Sequence, residues 1–361
     1  MGLFRFSSGS LVGLDIGSDR LKVVELVRAG RTYRLARMAT LPSPAGAFRD
    51  GVPVAPDEVG AQVRALFERA GIRTDRVVVG AGGQTVTVRE VRVPPMTPQE
   101  LTAAVRYEAE RYLPYNVQDV YMDYQVLGES TEDGRKMLDV VVVATRQDVV
   151  QRIVETVEAA RLTPVVLDVE SFALLRALRP AQAPERTVVF IDLGAEASDI
   201  VITEGDRLRL TRNIPIGGTS LVHALQEAMG VDEGAARQLL EERGEILDEN
   251  AIPDDLTVQR IHDAIAPQVG DLITEVRRSL DYYQTRTRAA VVSQVVLTGG
   301  LARLRNLDRV LAAELGLPVE VGNPFAHLEV NGAAFAPDVL ASTGPVMSVA
   351  VGLALRGGEE R

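Results

Sequence analysis

The 361-residue chain has no cysteine, no tryptophan and only three histidines. The missing cysteines exclude disulfides, thiolate metal sites and cysteine nucleophiles. Three histidines leave little for a multi-histidine metal centre. A reducing cytosol fits such a chain without being required by it. Positive charge is in deficit as well, with 39 Lys and Arg against 50 Asp and Glu and a net charge of −11. General nucleic-acid binding needs a basic footprint and is disfavoured. No apolar run is expected to approach the roughly 18 residues that span a bilayer. The opening Met-Gly-Leu-Phe-Arg-Phe-Ser-Ser lacks the long apolar core of a secretion signal. Gly2 is not followed by the Ser or Thr that myristoylation needs, since Phe6 stands there. What remains is a chain with 46 % hydrophobic residues and room for about two domains.

Residues 11 to 26 read Leu-Val-Gly-Leu-Asp-Ile-Gly-Ser-Asp-Arg-Leu-Lys-Val-Val-Glu-Leu. The pattern is strand, tight loop, strand. Asp15 enters the loop, Gly17 and Ser18 form it, and Lys22 leaves it. Backbone N–H groups at a glycine turn can nest an anion. A carboxylate reaches the water shell of a metal, and a lysine adds a point charge. The loop therefore suits a metal-chelated polyphosphate, although a lone Asp-x-Gly-Ser also fits an ordinary hairpin. The stretch occurs twice. Residues 188 to 202 read Val-Val-Phe-Ile-Asp-Leu-Gly-Ala-Glu-Ala-Ser-Asp-Ile-Val-Ile, with Asp192 and Gly194 each 177 residues after Asp15 and Gly17. Each copy continues into two more strands and then a proline, Pro42 or Pro215. A period this long predicts a duplicated domain, not a solenoid. One ligand clamped between two like lobes is the expectation.

Between the copies, Asp57 is expected to cap a helix that ends at Ala70-Gly71. Gly80-Ala81-Gly82-Gly83 lacks the lysine and helix start of a P-loop and reads as a connection. Residues 84 to 160 run strand, helix, strand, strand, helix, a compact α/β insert. Thr97-Pro98-Gln99-Glu100 opens its first helix, expected to reach Tyr112. Tyr107, Tyr112 and Tyr115 sit at helical spacing and are expected in the core, with a partner surface as the alternative. A Pro- and Ala-rich linker follows at 179 to 186. After the second meander, Gly217-Gly218 opens a helix, 227 to 255 reads as helical and acidic, and Gly270 to Thr285 as an amphipathic helix. A strand ends in Gly299-Gly300, and a small-residue apolar helix, Ser348 to Leu355, closes the chain. Asp199, at the Lys22 position of the repeat, is expected to be structural.

These clusters, in this order, resemble the actin-like ATPase superfamily. Asp15-Ile-Gly17-Ser18 is similar to its phosphate-1 loop, and Asp192-Leu-Gly194 to phosphate-2. Glu170 is similar to the acid of connect-1, Gly299-Gly300-Leu301 to the adenosine motif, and Gly352 falls in a stretch like connect-2. Within the superfamily the chain resembles the type IV pilus assembly family PilM. Tyr107-Glu-Ala-Glu-Arg-Tyr-Leu-Pro114, Val165 to Ala173, Gly322-Asn-Pro-Phe325 and Ala350 to Arg356 carry that likeness. The resemblance implies a two-lobed α/β fold of duplicated ribonuclease-H-like domains. Subdomain 1A would take 10–83 and 161–180, an FtsA-type inserted subdomain 1C 84–160, subdomain 2A 186–220 and 280–356, and subdomain 2B 221–279.

The resemblance also implies ATP and Mg²⁺ as cofactors. Asp15 and Asp192 would hold the metal through water, and Gly17, Ser18, Lys22 and Gly194 would meet phosphates. Glu170 would stand near the attacking water as the catalytic candidate. Gly217, Gly218, Gly299, Gly300 and Leu301 would meet the nucleotide. Relatives present a Glu and a Lys to the ribose where this chain has Arg237 and Leu240, and Ala195 and Ala197 replace frequent hydroxyls. Binding with slow or absent hydrolysis is expected. The implied function is a cytoplasmic scaffold at the inner membrane, held there by partners without inserting itself. The partners would be the N-terminal cytoplasmic tail of PilN, the PilN/PilO complex, the platform protein and motor ATPases. Two other readings are an FtsA-like division adaptor and a small-molecule kinase. The first needs a C-terminal amphipathic membrane helix, for which Arg356-Gly-Gly-Glu-Glu-Arg361 is too short and polar. The second needs an acceptor-pocket motif that the chain does not show.

Overall fold

The computed structural model describes residues 11–113, 115–132, 134–178, 186–247, 255–287 and 291–359. Residues 179–185 of the expected 179–186 linker and residues 248–254 of the acidic stretch lie outside them. The first half opens with an antiparallel meander, β1 (Leu11–Ile16), β2 (Arg20–Ala29) and β3 (Thr32–Pro42), followed by a small hairpin, β4 (Phe48–Arg49) and β5 (Val52–Pro53). Helix α1 (Pro56–Ala70) and strand β6 (Arg76–Ala81) come next. Then come β7 (Val86–Val93), α2 (Pro98–Ala109), β8 (Val120–Glu132) and β9 (Arg135–Arg146). Helix α3 (Gln147–Ala159), β10 (Thr163–Val169) and α4 (Glu170–Leu178) complete the half.

The second half repeats the plan with β11 (Thr187–Leu193), β12 (Ser198–Glu204) and β13 (Arg207–Ile214). Helices α5 (Gly218–Met229), α6 (Glu233–Arg243) and α7 (Leu256–Thr287) follow. The chain then forms β14 (Val292–Gly299), α8 (Leu307–Leu315), β15 (Val319–Val321), β16 (Leu328–Glu329) and α9 (Pro337–Glu359). Lobe one orders its strands β10-β6-β1-β2-β3-β16, and lobe two β13-β12-β11-β14-β15. In each lobe the strand that carries the aspartate has an antiparallel neighbour on one side and a parallel one on the other, β6 for β1 and β14 for β11. The duplication expected from the two Asp-x-Gly stretches is thus present in the sheets.

Helices α4 and α9 lie between the two sheets. Their buried Leu174, Leu175, Met347, Ala350 and Val351 share one core with Val24 and Leu26 of lobe one and Phe190 and Val201 of lobe two. Close approach demands glycine there. A Cβ on Gly352 would overlap the carbonyl oxygen of Ala173, and one on Gly13 the carbonyl oxygen of Ala350. Over Pro337–Gly358, α9 is long and apolar enough to cross a membrane, a length that interruptions by Ser, Thr and Gly hide from a search for unbroken apolar runs. More than half of its most apolar stretch is buried inside the protein.

The outer faces are covered separately. Val149, Ile153 and Val157 of α3 join Val59, Val63 and Leu66 of α1 in the core under the lobe-one sheet. The sheet β7-β9-β8 has its own small core with α2, made of Val93, Leu101, Val105, Val140 and Val142. It leans on lobe two through Arg209–Glu90 at 2.9 Å and Arg207–Asp139 at 3.6 Å.

Several local expectations change. Asp57 is not the cap of α1: Ala55 holds that position without a side-chain bond, and Asp57 sits in the first turn after Pro56. Helix α2 ends at Ala109, earlier than Tyr112, although its start is capped as a box by Thr97 and Glu100. Tyr107 and Tyr115 are not core residues, being 68 % and 37 % exposed. The two adjacent strands of the insert reach further than their apolar stretches suggest, since β8 and β9 pair as one long hairpin out to Glu132 and Arg135. The acidic stretch is broken at Gly230, whose left-handed backbone (φ 69°) ends α5, and α6 leaves helix at Gly244. Helix α7 begins well before Gly270 and runs through Pro267, which lies on an exposed face.

Candidate functional site

The cleft between the lobes is built from the ends of the two aspartate strands. Asp15 and Lys22 are directly paired across β1 and β2, so their side chains leave the same face of the sheet. Lys22 Nζ donates to Asp15 Oδ2 at 2.8 Å. Both are largely sequestered, with side chains 17 % and 7 % exposed. Gly17 closes the turn where a Cβ would come within 2.9 Å of the Arg20 carbonyl and 3.3 Å of Lys22 Nζ. Gly17 and Ser18 line the cleft beside Asp15 and Lys22.

Asp192 and Asp199 hold the corresponding register in lobe two, across β11 and β12. Asp199, expected to be structural, lines the same cleft, and its Oδ1 accepts from Asn213 Nδ2 at 2.8 Å. Gly299 lies directly behind Asp192. It has a left-handed backbone (φ 86°), and a Cβ there would stand 2.5 Å from Asp192 Oδ1. Gly300 has open space around it, and Leu301 continues the wall.

The start of α5 behaves differently from expectation. Gly218 N–H donates to the Gly194 carbonyl at 3.0 Å, and Thr219 N–H to the Ala195 carbonyl at 2.8 Å. Two of the helix's first amides therefore hold the Asp192 loop in shape and are not free for an anion. Gly217 does not line the cleft; its backbone packs on Ala195 and Ala197, where a Cβ would collide. Gly218 and Gly194 do line it.

Glu170 opens α4 and points into the same space. Its carboxylate packs on Gly82, where a Cβ would overlap it. Gly80 to Thr85 are therefore wall residues of the cleft as well as a connection. The clue was present in the sequence: a glycine cluster at the end of a buried strand needs a reason for bare backbone. The opposing wall of α6 supplies Arg237, Leu240 and Glu241. The last two turns of sequence before Ala350 contribute Pro345, Val346 and Val349 to the floor.

Around Lys22, four of the cleft's carboxylates, Asp15, Glu170, Asp192 and Asp199, act on one another. Burial pushes Glu170 well above the usual carboxylate range, helped by Asp15, Asp199 and Asp192 and opposed by Lys22. Burial and the nearby Asp199 push Asp192 up to about 7, against the pull of Lys22. Asp199 is raised by burial despite its bond from Asn213. Burial alone would lower Lys22, but Asp15, with Asp192 and Glu170 behind it, turns the net shift upward. Such a cluster is short of positive charge, so a cation bound with an anion that Lys22 can meet would relieve it.

The residues fit a hydrated divalent cation better than a bare one. Among the described residues no three His, Asp or Glu side chains converge closely enough to hold a metal directly. Mg²⁺ keeps several waters and takes one or two carboxylates with phosphate oxygens. Asp15 and Asp192, one from each lobe, match that donor set.

Comparison with known proteins follows the same line. Residues 13–358 match the model of the type IV pilus assembly protein PilM family. The solved PilM–PilN type IV pilus biogenesis complex contains a chain with 32 % identity and a TM-score of 0.85, covering 97 % of this chain and 99 % of that one. The cell division protein FtsA of Pseudomonas aeruginosa is 24 % identical over 97 % of this chain and 90 % of its own length. MreB5 of Spiroplasma citri, solved bound to ADP, has 11 % identity and a TM-score of 0.52, covering 97 % of each chain, and shares the fold. The fold is that of the actin-like ATPases, and the chain belongs to the PilM family of type IV pilus assembly proteins.

Proposed function

We propose that this chain is a cytoplasmic ATP-binding scaffold of the type IV pilus inner-membrane platform, held at the membrane by its partners. Family membership supports the pilus role. The meeting of Asp15, Lys22 and Asp192 at one cleft supports the nucleotide role and carries it. Mg²⁺ would be held through water by Asp15 and Asp192, and Lys22, Gly17, Ser18 and Gly194 would face the phosphates. Gly299, Gly300, Leu301 and Gly218 would face the nucleoside, with Gly217 acting behind them by packing. The Mg²⁺ of bound Mg·ATP would set positive charge beside the carboxylates, and its polyphosphate would meet Lys22. Glu170 holds a proton well above the usual carboxylate range. That direction favours the neutral carboxyl over a general base, which goes with slow turnover.

PilN is proposed as the partner because the related PilM chain was solved in complex with it. Its N-terminal cytoplasmic tail would lie between lobe one and the insert, near residues 84–115, ordering as it binds. Exposed Tyr107 and Tyr115 suit such a surface. PilO, the platform protein and motor ATPases would be reached through the same complex. The subdomain limits given above are kept as part of the proposal, with α3 assigned to 1A because its apolar face lies in that core. Titration of the full chain with an N-terminal PilN peptide, and separately with Mg·ATP, tests both halves. Saturable one-site binding of each is expected, and the absence of either removes that half.

A further inference from the structure

The end of lobe one that points away from the cleft is basic, although the chain as a whole carries −11. Strands β1, β6 and β10 run parallel and begin there, and β2 turns into β3 there at Gly30. That turn brings Arg28, Arg31 and Arg34 to this end. Arg69 and Arg73 follow from the end of α1, Arg76 opens β6, and Arg161 stands just before β10. All seven are exposed, and none has an ion pair among the described residues. Their acidic neighbours in the same turns and helix ends are Glu68, Asp75 and Glu158. Glu329, on the strand beside β3, is engaged by Thr32 at 2.8 Å. A cation suits a helix C-terminus, which accounts for Arg69 and Arg161. It does not account for Arg28, Arg31, Arg34 and Arg76, which lie on strands and a turn. Arg161 also takes a left-handed backbone (φ 60°) just past α3, as Gly71 does just past α1, where glycine is easier to place.

We propose that this end of lobe one rests on an anionic lipid surface, with its arginines meeting phospholipid headgroups. The set spreads across β10, β6, β1, β2 and β3, a width of about 20 Å at the usual strand spacing. That breadth suits a charged surface and not a single bound ion. Leu11 opens β1 at this end, so residues 1–10 join the chain here, and they include Leu3, Phe4, Arg5 and Phe6 and no acid. Arginine beside leucine and phenylalanine is the composition of a membrane interface. An arginine near an anionic leaflet strengthens binding about fivefold, and the effect fades within a screening length. The contact adds to the tether by partner proteins and does not depend on the nucleotide reading.

The test is flotation of the full chain with phosphatidylcholine vesicles, with and without phosphatidylglycerol. Binding only with phosphatidylglycerol is expected. It should weaken at least about tenfold between about 0.1 M and about 1 M salt, as the screening length falls from about 10 Å to about 3 Å. Arg28→Gln with Arg31→Gln and Arg34→Gln should weaken it by about tenfold or more. The same three positions changed to Lys should keep it, because headgroups are met here by charge and not by a fixed fork. Arg135→Gln with Arg260→Gln and Arg309→Gln makes the same charge change at exposed positions elsewhere. That variant should stay within about twofold of wild type, since its positions lie outside the contact. Undiminished binding in the first triple variant, or an equal loss in the last, overturns the proposal. So does a wild-type chain that ignores phosphatidylglycerol vesicles, and one that binds RNA instead would assign the face to a nucleic acid.

Discussion

Asp199 faces Asp192 across the ladder of lobe two at the register where Lys22 faces Asp15 across the ladder of lobe one. One hairpin therefore brings a neutralised pair to the cleft, and the other brings two like charges. The asymmetry sets the electrostatics of the whole site. With burial as the larger cause, it raises Asp192 to about 7, and Asp15, Asp199 and Asp192 push the buried Glu170 further up.

The pH dependence of stability follows. An unfolded Asp titrates near 3.9, whereas folded Asp192 titrates at about 7. The folded state therefore holds a proton through that window that the unfolded state has released. This contribution is complete below about pH 4 and is lost as pH rises through about 7. Asp192→Ala should melt close to wild type at pH 5 and higher at pH 8. The gain at pH 8 should be about 1–3 kcal/mol, read by calorimetry without nucleotide. Equal behaviour at both pH values would show that Asp192 is not under this strain.

Asp15→Ala should do the reverse. It strands the Lys22 ammonium, whose bonded partner is Asp15 at 2.8 Å. A loss of about 2–3 kcal/mol is expected at pH 7, less than for a fully buried pair because the cleft admits water. Denaturant unfolding measures it. The two aspartates thus separate in stability even though both are proposed to hold one ligand.

The helix pair between the lobes gives a packing prediction. Gly352→Ala forces a methyl into the Ala173 carbonyl and should cost about 3 kcal/mol or abolish folding. Gly270→Ala, within α7 with nothing near its Cβ direction, should stabilise by about 0.5–1 kcal/mol. Urea unfolding of both variants checks the contrast.

Much of this was legible in the sequence. Strand, aspartate, glycine and returning strand recur with a fixed offset, and a hairpin's register follows from its short turn, so Asp15, Lys22, Asp192 and Asp199 could be placed beforehand. The same repeat predicted a duplicated domain, and the resemblance to the actin-like ATPases implied the rest of the fold. Tertiary choices were not legible. Helix α3 follows the insert in sequence but buries Val149, Ile153 and Val157 against α1, which periodicity alone does not decide. Tyr107 and Tyr115 have helical spacing yet face outward, because the insert's small core is filled by Val93, Leu101, Val105, Val140 and Val142. The role of Gly82 depends on Glu170 arriving from a distant helix start. The ion pair of Arg237 on α6 with Asp19 needs both lobes in place before the two can meet.

The most direct test is a calorimetric titration of wild type, Asp15→Ala and Asp192→Ala with Mg·ATP, after each variant is shown to be folded. Wild type should bind at one site, and both variants should lose measurable binding, because each lobe contributes one of the two acids that hold the metal. Wild-type affinity retained in either variant would contradict a ligand shared between the lobes.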